Sequence, residues 1–291
     1  MKRRFPCILY ALVCGAAMFP GQALAMTGGQ AQNLCQGARN GNAADLLKLR
    51  KAATRADRSA ESWLGVYYGT EKHFSEAVYW TRKAALQGDG QSAFVMGGAY
   101  YYGNGVPVND RKAVHWYRKA AALDYAGAGR MLARAEFRLG KACHAAGRGN
   151  QQEEAKAAYW YRRAALHGNA QAENRLGYAY FSGQGVPQSD EQAVYWYRKA
   201  AAQGNAGAEN NLGVACETGR GLPRDYAQAL RWYGRAARHG DTGAETNLGV
   251  VYYQGKGVAA DEAAALRWWR KAAAAGDRRA QRYLRAVGGS R

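Results

Sequence analysis

A tryptophan-centred hexapeptide returns almost unchanged along this chain and constrains its fold more than any other feature. The segments WTRKAA, WYRKAA, WYRRAA, WYRKAA, WYGRAA and WWRKAA begin at Trp80, Trp116, Trp160, Trp196, Trp232 and Trp268, at intervals of 36, 44, 36, 36 and 36 residues. Of the tryptophans, only Trp63 and Trp269 fall outside that slot. Such a period marks an array of supersecondary units, each able to bury its apolar face only by stacking on its neighbours.

Each unit divides into two amphipathic halves. In the second half, Ala193, Trp196, Tyr197, Ala200 and Ala201 fall at i, i+3, i+4, i+7 and i+8, one apolar stripe of a helix. The leading Ala-Trp pair returns from Ala77, Ala113, Ala157, Ala229 and Ala265. In the first half, Leu176 and Gly177, Leu212 and Gly213, and Leu248 and Gly249 hold one slot. Glycine inside a helix costs about 1 kcal/mol against alanine, so its return there predicts close approach of the paired helix under a bulky Trp or Tyr. Gly103-Asn104-Gly105-Val106-Pro107, Gly183-Gln184-Gly185-Val186-Pro187, Gly219-Arg220-Gly221-Leu222-Pro223 and Gly255-Lys256-Gly257-Val258 separate the halves. The first glycine suits a helix C-terminus, and Asn109, Ser189, Asp225 and Asp261 are placed to cap the helix that follows. Because these loops follow a helix and recur, they are turns and not phosphate cradles.

The expected fold is all-α, a superhelical α/α solenoid of helical hairpins. Six repeats are expected at 59–89, 90–125, 126–169, 170–205, 206–241 and 242–277, with an N-terminal capping region over 26–58 and a basic capping helix over 278–291. A lone helix over 44–56 closes the first end. In the first repeat Tyr68-Gly69-Thr70-Glu71 replaces the Gly-x-Gly loop. In the third, Ala133 stands in the glycine slot and a loop eight residues longer is expected around 143–152.

The pattern Ala-x-x-x-Leu-Gly-x-x-Tyr, Gly-x-Gly-Val, Ala-x-x-Trp-Tyr-x-Lys-Ala-Ala resembles the Sel-one-like repeat family, a tetratricopeptide-like group, over most of the chain. That resemblance implies adaptors and scaffolds in signalling, secretion, envelope biology and host interaction. A cysteine-rich subgroup carries a disulfide in nearly every repeat; this chain lacks such pairs, so the hydrolase or penicillin-binding activity associated with that subgroup is not carried over.

Lys2, Arg3 and Arg4, an apolar stretch over 5–19 and then Ala23-Leu24-Ala25 read as a secretory signal peptide over 1–25, cleaved after Ala25. The expected location is therefore periplasmic or extracellular, with no integral membrane span in the mature chain. Cys35, Cys143 and Cys216 remain after cleavage and permit at most one internal disulfide. The net charge of +19 attracts polyanions; anionic polysaccharide or lipopolysaccharide is expected ahead of nucleic acid.

No Ser or Cys lies in a nucleophile motif, and no cysteine spacing suits a metal, so the chain reads as non-enzymatic and without cofactor. His115, His167 and His239 share repeat slots with Tyr, Arg or Gln, company in which a catalytic base is out of place.

Two surfaces are candidates for binding. The pairs Arg118-Lys119, Arg162-Arg163, Arg198-Lys199 and Arg270-Lys271 form either a ladder for a long anionic partner or a solvated outer face. The first helices form the second surface. Asn174, Tyr178 and Phe181 share one face at i, i+4 and i+7, and the equivalent slots hold Phe94, Tyr101, Tyr102, Asn210, Glu217 and Tyr253. Rings and amides suit an extended peptide of another protein; the alternative is that some rings pack between repeats.

Overall fold

The structure, a computed structural model, describes residues 25–147 and 150–288. The leader over 1–25 therefore lies, apart from Ala25, outside the described residues. Those residues form fifteen α-helices and no strand. None of the helices is long and apolar enough to cross a membrane.

The chain divides into two compact units, one ending at Leu139 and the other beginning at Gly140. The first unit holds α1 (Gly28–Arg39), α2 (Ala43–Thr54), α3 (Arg58–Thr70), α4 (Phe74–Leu86), α5 (Gly90–Tyr102) and α6 (Asp110–Ala122). Helix α7 (Ala128–Ala146) carries the division. The second unit holds α8 (Gln151–Leu166), α9 (Ala170–Ser182), α10 (Asp190–Ala202), α11 (Ala206–Thr218), α12 (Tyr226–Arg238), α13 (Thr242–Gln254), α14 (Glu262–Ala274) and α15 (Arg278–Gly288). Pairs α3/α4, α5/α6, α9/α10, α11/α12 and α13/α14 are the repeat hairpins, and each second helix also packs on the following first helix at α4/α5, α8/α9, α10/α11 and α12/α13. This is the α/α solenoid arrangement.

The expected punctuation is present. Gly103, Gly183, Gly219 and Gly255 end their helices in the left-handed region, with φ of 80°, 71°, 75° and 66°. Asn109, Ser189, Asp225 and Asp261 accept from Lys112, Gln192, Gln228 and Ala264 N–H and so cap the second helices. The second glycine of each loop has a further use. A Cβ on Gly221 would come within 2.3 Å of the Asp190 carbonyl oxygen, and one on Gly185 within 2.2 Å of the Glu154 carbonyl oxygen. The loop therefore rests on the helix N-terminus of the preceding repeat, where only glycine fits.

The helix glycines meet the ring that follows the tryptophan slot. A Cβ on Gly97, Gly140, Gly177 or Gly213 would lie 2.5–2.6 Å from a ring carbon of Tyr117, Tyr161, Tyr197 or Tyr233. On Gly249 it would lie 2.3 Å from the Trp269 indole nitrogen. These rings, at 0–4 % exposure, are the centre of each hairpin. Among the slot tryptophans only Trp116 and Trp196 are buried, whereas Trp80, Trp160, Trp232 and Trp268 are half-buried. The repeating tryptophan thus packs on the flank of its hairpin, and its neighbour keys the two helices together.

Two expectations are corrected. The N-terminal cap is a hairpin and not a lone helix: α1 precedes α2, opened by a capping box between Thr27 and Gln30, and it buries Ala31, Cys35 and Ala38 at i, i+4 and i+7. In the third repeat the glycine slot belongs to Gly140, against Tyr161, and not to Ala133. The extra residues lengthen the helices instead of the loop. Helix α7 has 19 residues and α8 has 16, against 13 in α9 and α10, and only residues 147–150 join them. Ala133 is buried two turns earlier on the same helix face.

Candidate functional site

The first-helix face contains much that is already engaged. Phe94 packs on Tyr117 and Tyr125, with ring centroids 5.5 and 5.0 Å away. Tyr101 packs edge-on against Tyr102 and lies under the Arg138 guanidinium, 3.6 Å from the ring centroid. Phe181 lies likewise under Arg220, which also donates to the Phe181 carbonyl and to both Asp190 carboxylate oxygens. Glu217 accepts from the Tyr233 hydroxyl at 2.8 Å and pairs with Lys256 at 3.0 Å. These side chains join adjacent elements, which is the packing role left open by their sequence.

Asn174, Asn210 and Tyr178 remain, with Tyr253, whose ring packs on Trp269 with centroids 5.4 Å apart; the structure adds Asn211 and Asn247 to them. Asn211 donates to the Asn174 side-chain oxygen at 2.9 Å, and Asn247 donates to that of Asn210 at 2.9 Å. Each pair crosses from one first helix to the next, so α9, α11 and α13 are linked by amides. An amide offers two donors and an acceptor. Each of the four half-buried groups retains capacity that has no partner among the described residues. Tyr178 and Tyr253, on α9 and α13, are 44 % and 48 % exposed.

The outer face holds residues overlooked in the sequence. Glu61, Glu136, Glu173, Glu209 and Glu245, each four positions before the hairpin glycine, are 0–3 % exposed. A buried carboxylate requires a counter-charge, and the cations after the tryptophans supply it. Glu61 pairs with Lys83 at 3.1 Å, Glu173 with Lys199 at 3.8 Å, Glu209 with Arg235 at 2.9 Å and Glu245 with Lys271 at 2.7 Å. Arg118 reaches Glu136 at 3.7 Å. Gln87 and Gln203 donate to the second oxygens of Glu61 and Glu173, each at 2.7 Å, and His239 meets Glu209 at 2.8 Å. The Gln/His slot is therefore part of a structural clamp. Burial raises the Glu173 carboxyl above the usual range, with Lys199 and Gln203 opposing the shift. The recurrence of Ala-Glu-x-x-Leu-Gly was the legible signal.

The basic ladder is correspondingly thinner than its sequence count. Arg118, Lys199 and Lys271 are occupied, and Lys119 lies 5.3 Å from the Trp116 ring centroid. Arg162 donates to the Tyr180 hydroxyl, and Arg163 to Tyr159 at 3.3 Å. Arg198 and Arg270 stand exposed. On α15, Arg278, Arg282 and Arg285 form an exposed basic face with Gln281, while Ala280, Leu284 and Val287 pack inward.

No disulfide joins Cys35, Cys143 and Cys216, and burial raises the Cys216 thiol, which disfavours its thiolate. His144 meets Glu154 at 2.9 Å beside a crevice of about 20 Å³, which has room for about one water molecule. Among the described residues no three His, Cys, Asp or Glu side chains gather closely enough to hold a metal ion.

Comparison with known proteins matches the Sel1 repeat family model at residues 58–89, 90–125, 133–169, 170–205, 206–241 and 242–277. The third match begins at 133, as the Gly140 register requires. The crystal structure of c5321, described as a protective antigen of uropathogenic Escherichia coli with an SLR fold, is similar with a TM-score of 0.61 and 30% identity, covering 88% of this chain and 59% of that one. A Sel1 repeat protein from Oxalobacter formigenes matches with a TM-score of 0.53 and 29% identity, covering 77% of this chain and 88% of that one. DAP3-binding cell death enhancer 1 of Rattus norvegicus is 40% identical over 77 residues, 26% of this chain. The chain spans only 15% of the length of that relative.

Proposed function

The chain belongs to the Sel1 repeat family, whose members are protein-interaction scaffolds, and on that premise we propose that it is an exported scaffold gripping an extended segment of another protein. The observation that carries this reading is the amide line on α9, α11 and α13. An extended segment presents unpaired backbone N–H and C=O groups. Asn174, Asn211, Asn210 and Asn247 hold spare donors and acceptors for them, and Tyr178 and Tyr253 add exposed rings for side-chain contact. Placement in the envelope or at the host surface is supported by the leader pattern and by the antigenic character of the similar E. coli protein. The chain acts as a binder and not as a catalyst.

The test is capture from envelope extract. Asn174→Ala, Tyr178→Ala and Tyr253→Ala combined should weaken recovery of a bound protein at least about tenfold, about 1.4 kcal/mol, which a single hot-spot contact among the three would supply, while the far-UV spectrum stays helical. Equal recovery by the triple variant would remove the amide face from the account.

A second reading, binding of an anionic envelope or host polymer, draws on the exposed arginines of α15 in place of the largely occupied outer ladder. Reversing Arg278, Arg282 and Arg285 to glutamate should then lower retention on immobilised heparin and flatten its salt dependence. Unaltered retention would leave those charges as a solvated surface.

A further inference from the structure

The N-terminal hairpin carries a contact with no role in the repeat array. The Met26 backbone nitrogen donates to the Asp57 side chain at 2.5 Å, across 31 positions of sequence. Asp57 is the N-cap of α3, and its other oxygen accepts from Ala60 N–H at 2.8 Å. No lysine or arginine pairs with this carboxylate among the described residues, although Arg55 and Arg58 flank it in sequence. The half-buried Met26 side chain packs against the cluster of Ala31, Cys35 and Leu49. Thr27 begins the capping box of α1 immediately afterwards. Met26 is also the residue that follows Ala23-Leu24-Ala25.

We propose that Asp57 is the receptor for the α-ammonium group that leader removal creates at Met26. The proposal rests on the export reading. Water adds across the Ala25–Met26 amide; Ala25 leaves with the carboxylate, and the Met26 nitrogen, released as an amine, takes up a proton at neutral pH. A neutral donor beside an unpaired carboxylate becomes a charged one at the same position, and charge-assisted hydrogen bonds are roughly twice as strong as neutral ones. Processing therefore tightens the first hairpin onto α3, and the mature chain holds its N-terminal cap more firmly than the precursor does.

The full-length gene is expressed with its leader, and the intact mass of the purified protein reports the first residue. The α-amine is then titrated by NMR after isotopic labelling, in the native protein and in Asp57→Asn, which keeps an oxygen for Ala60 N–H. The expected result is Met26 at the N-terminus with an α-amine pKa at least about half a unit above the usual 7.7–8.0, returning to that range in Asp57→Asn. A chain retaining Ala25, made separately, should also titrate in the usual range, which provides the comparison if Asp57→Asn fails to fold. A protein that keeps its leader overturns the export reading and the clasp together. One cut after Ala25 with an ordinary α-amine, or cut at another bond, overturns the clasp alone.

Discussion

The first and fourth repeats solve one packing problem with different materials. In the fourth, α9 and α10 are joined by residues 183–189, and the Tyr197 ring fills the notch left by Gly177. In the first, residues 71–73 join α3 and α4, Lys72 adopts a φ of 62°, and Thr81 replaces the ring against Gly65. The backbone spacing hardly changes. A Cβ on Gly65 would sit 3.4 Å from the Ala77 carbonyl oxygen, and one on Gly177 3.2 Å from that of Ala193. The clamp does not change either, because Glu61, Lys83 and Gln87 repeat the arrangement of Glu173, Lys199 and Gln203. The glycine notch is thus the constant of the two hairpins and the carboxylate clamp is common to both, while loop length and ring vary; the second repeat keeps the notch at Gly97 but has Ala93 in the carboxylate slot.

The largest effect expected from this comparison is at the filling itself. Tyr197→Ala should cost about 3–5 kcal/mol, as a large buried ring does, whereas Thr81→Ala should cost about 1 kcal/mol for its few lost atoms. Denaturant melts of both variants give the ratio, and equal losses would break the contrast. Next comes the notch. Gly177→Ala should destabilise by about 1–3 kcal/mol through overpacking, reduced by the roughly 1 kcal/mol that alanine gains in a helix. Combined with Tyr197→Thr, which copies the first repeat, it should cost less than the sum of the two single changes. Strict additivity would show that ring and glycine are not coupled.

The smallest effect concerns the clamp and is read through pH. Burial raises the folded Glu173 carboxyl, so the folded chain holds that proton to higher pH than the unfolded chain does. Stability on this account is greater at acid pH and falls as pH rises from the unfolded carboxylate value through the raised folded one. Glu173→Gln should remove that component, leaving a flatter pH profile of melting temperature on the acid side. A parallel profile would mean that Lys199 and Gln203 compensate the burial fully.

Much of the architecture was legible because its signals are local. Helix ends were marked by Gly183, Ser189 and their equivalents, whose backbone conformation or side-chain reach acts within a few residues. Helix α1 escaped notice because its sequence GGQAQNLCQGAR offers small residues in place of a strong apolar stripe. The candidate site was legible only in part. Asn174, Tyr178 and Phe181 share a helix face by spacing, but Phe181 was not separable from the other two, because only the guanidinium of Arg220, 39 positions on, distinguishes a covered ring from an open one.

The period, the helix ends of the regular repeats, their caps and the need for a notch are written in the chain locally, since propensity, capping and φ restrictions operate over one or two turns. Packing in three dimensions settled which ring enters the notch, which cation each buried glutamate holds, that asparagines on successive helices join, and that the third repeat counts from Gly140. Those outcomes depend on which side chains meet through space after the helices stack, a distance that spacing along the chain does not encode.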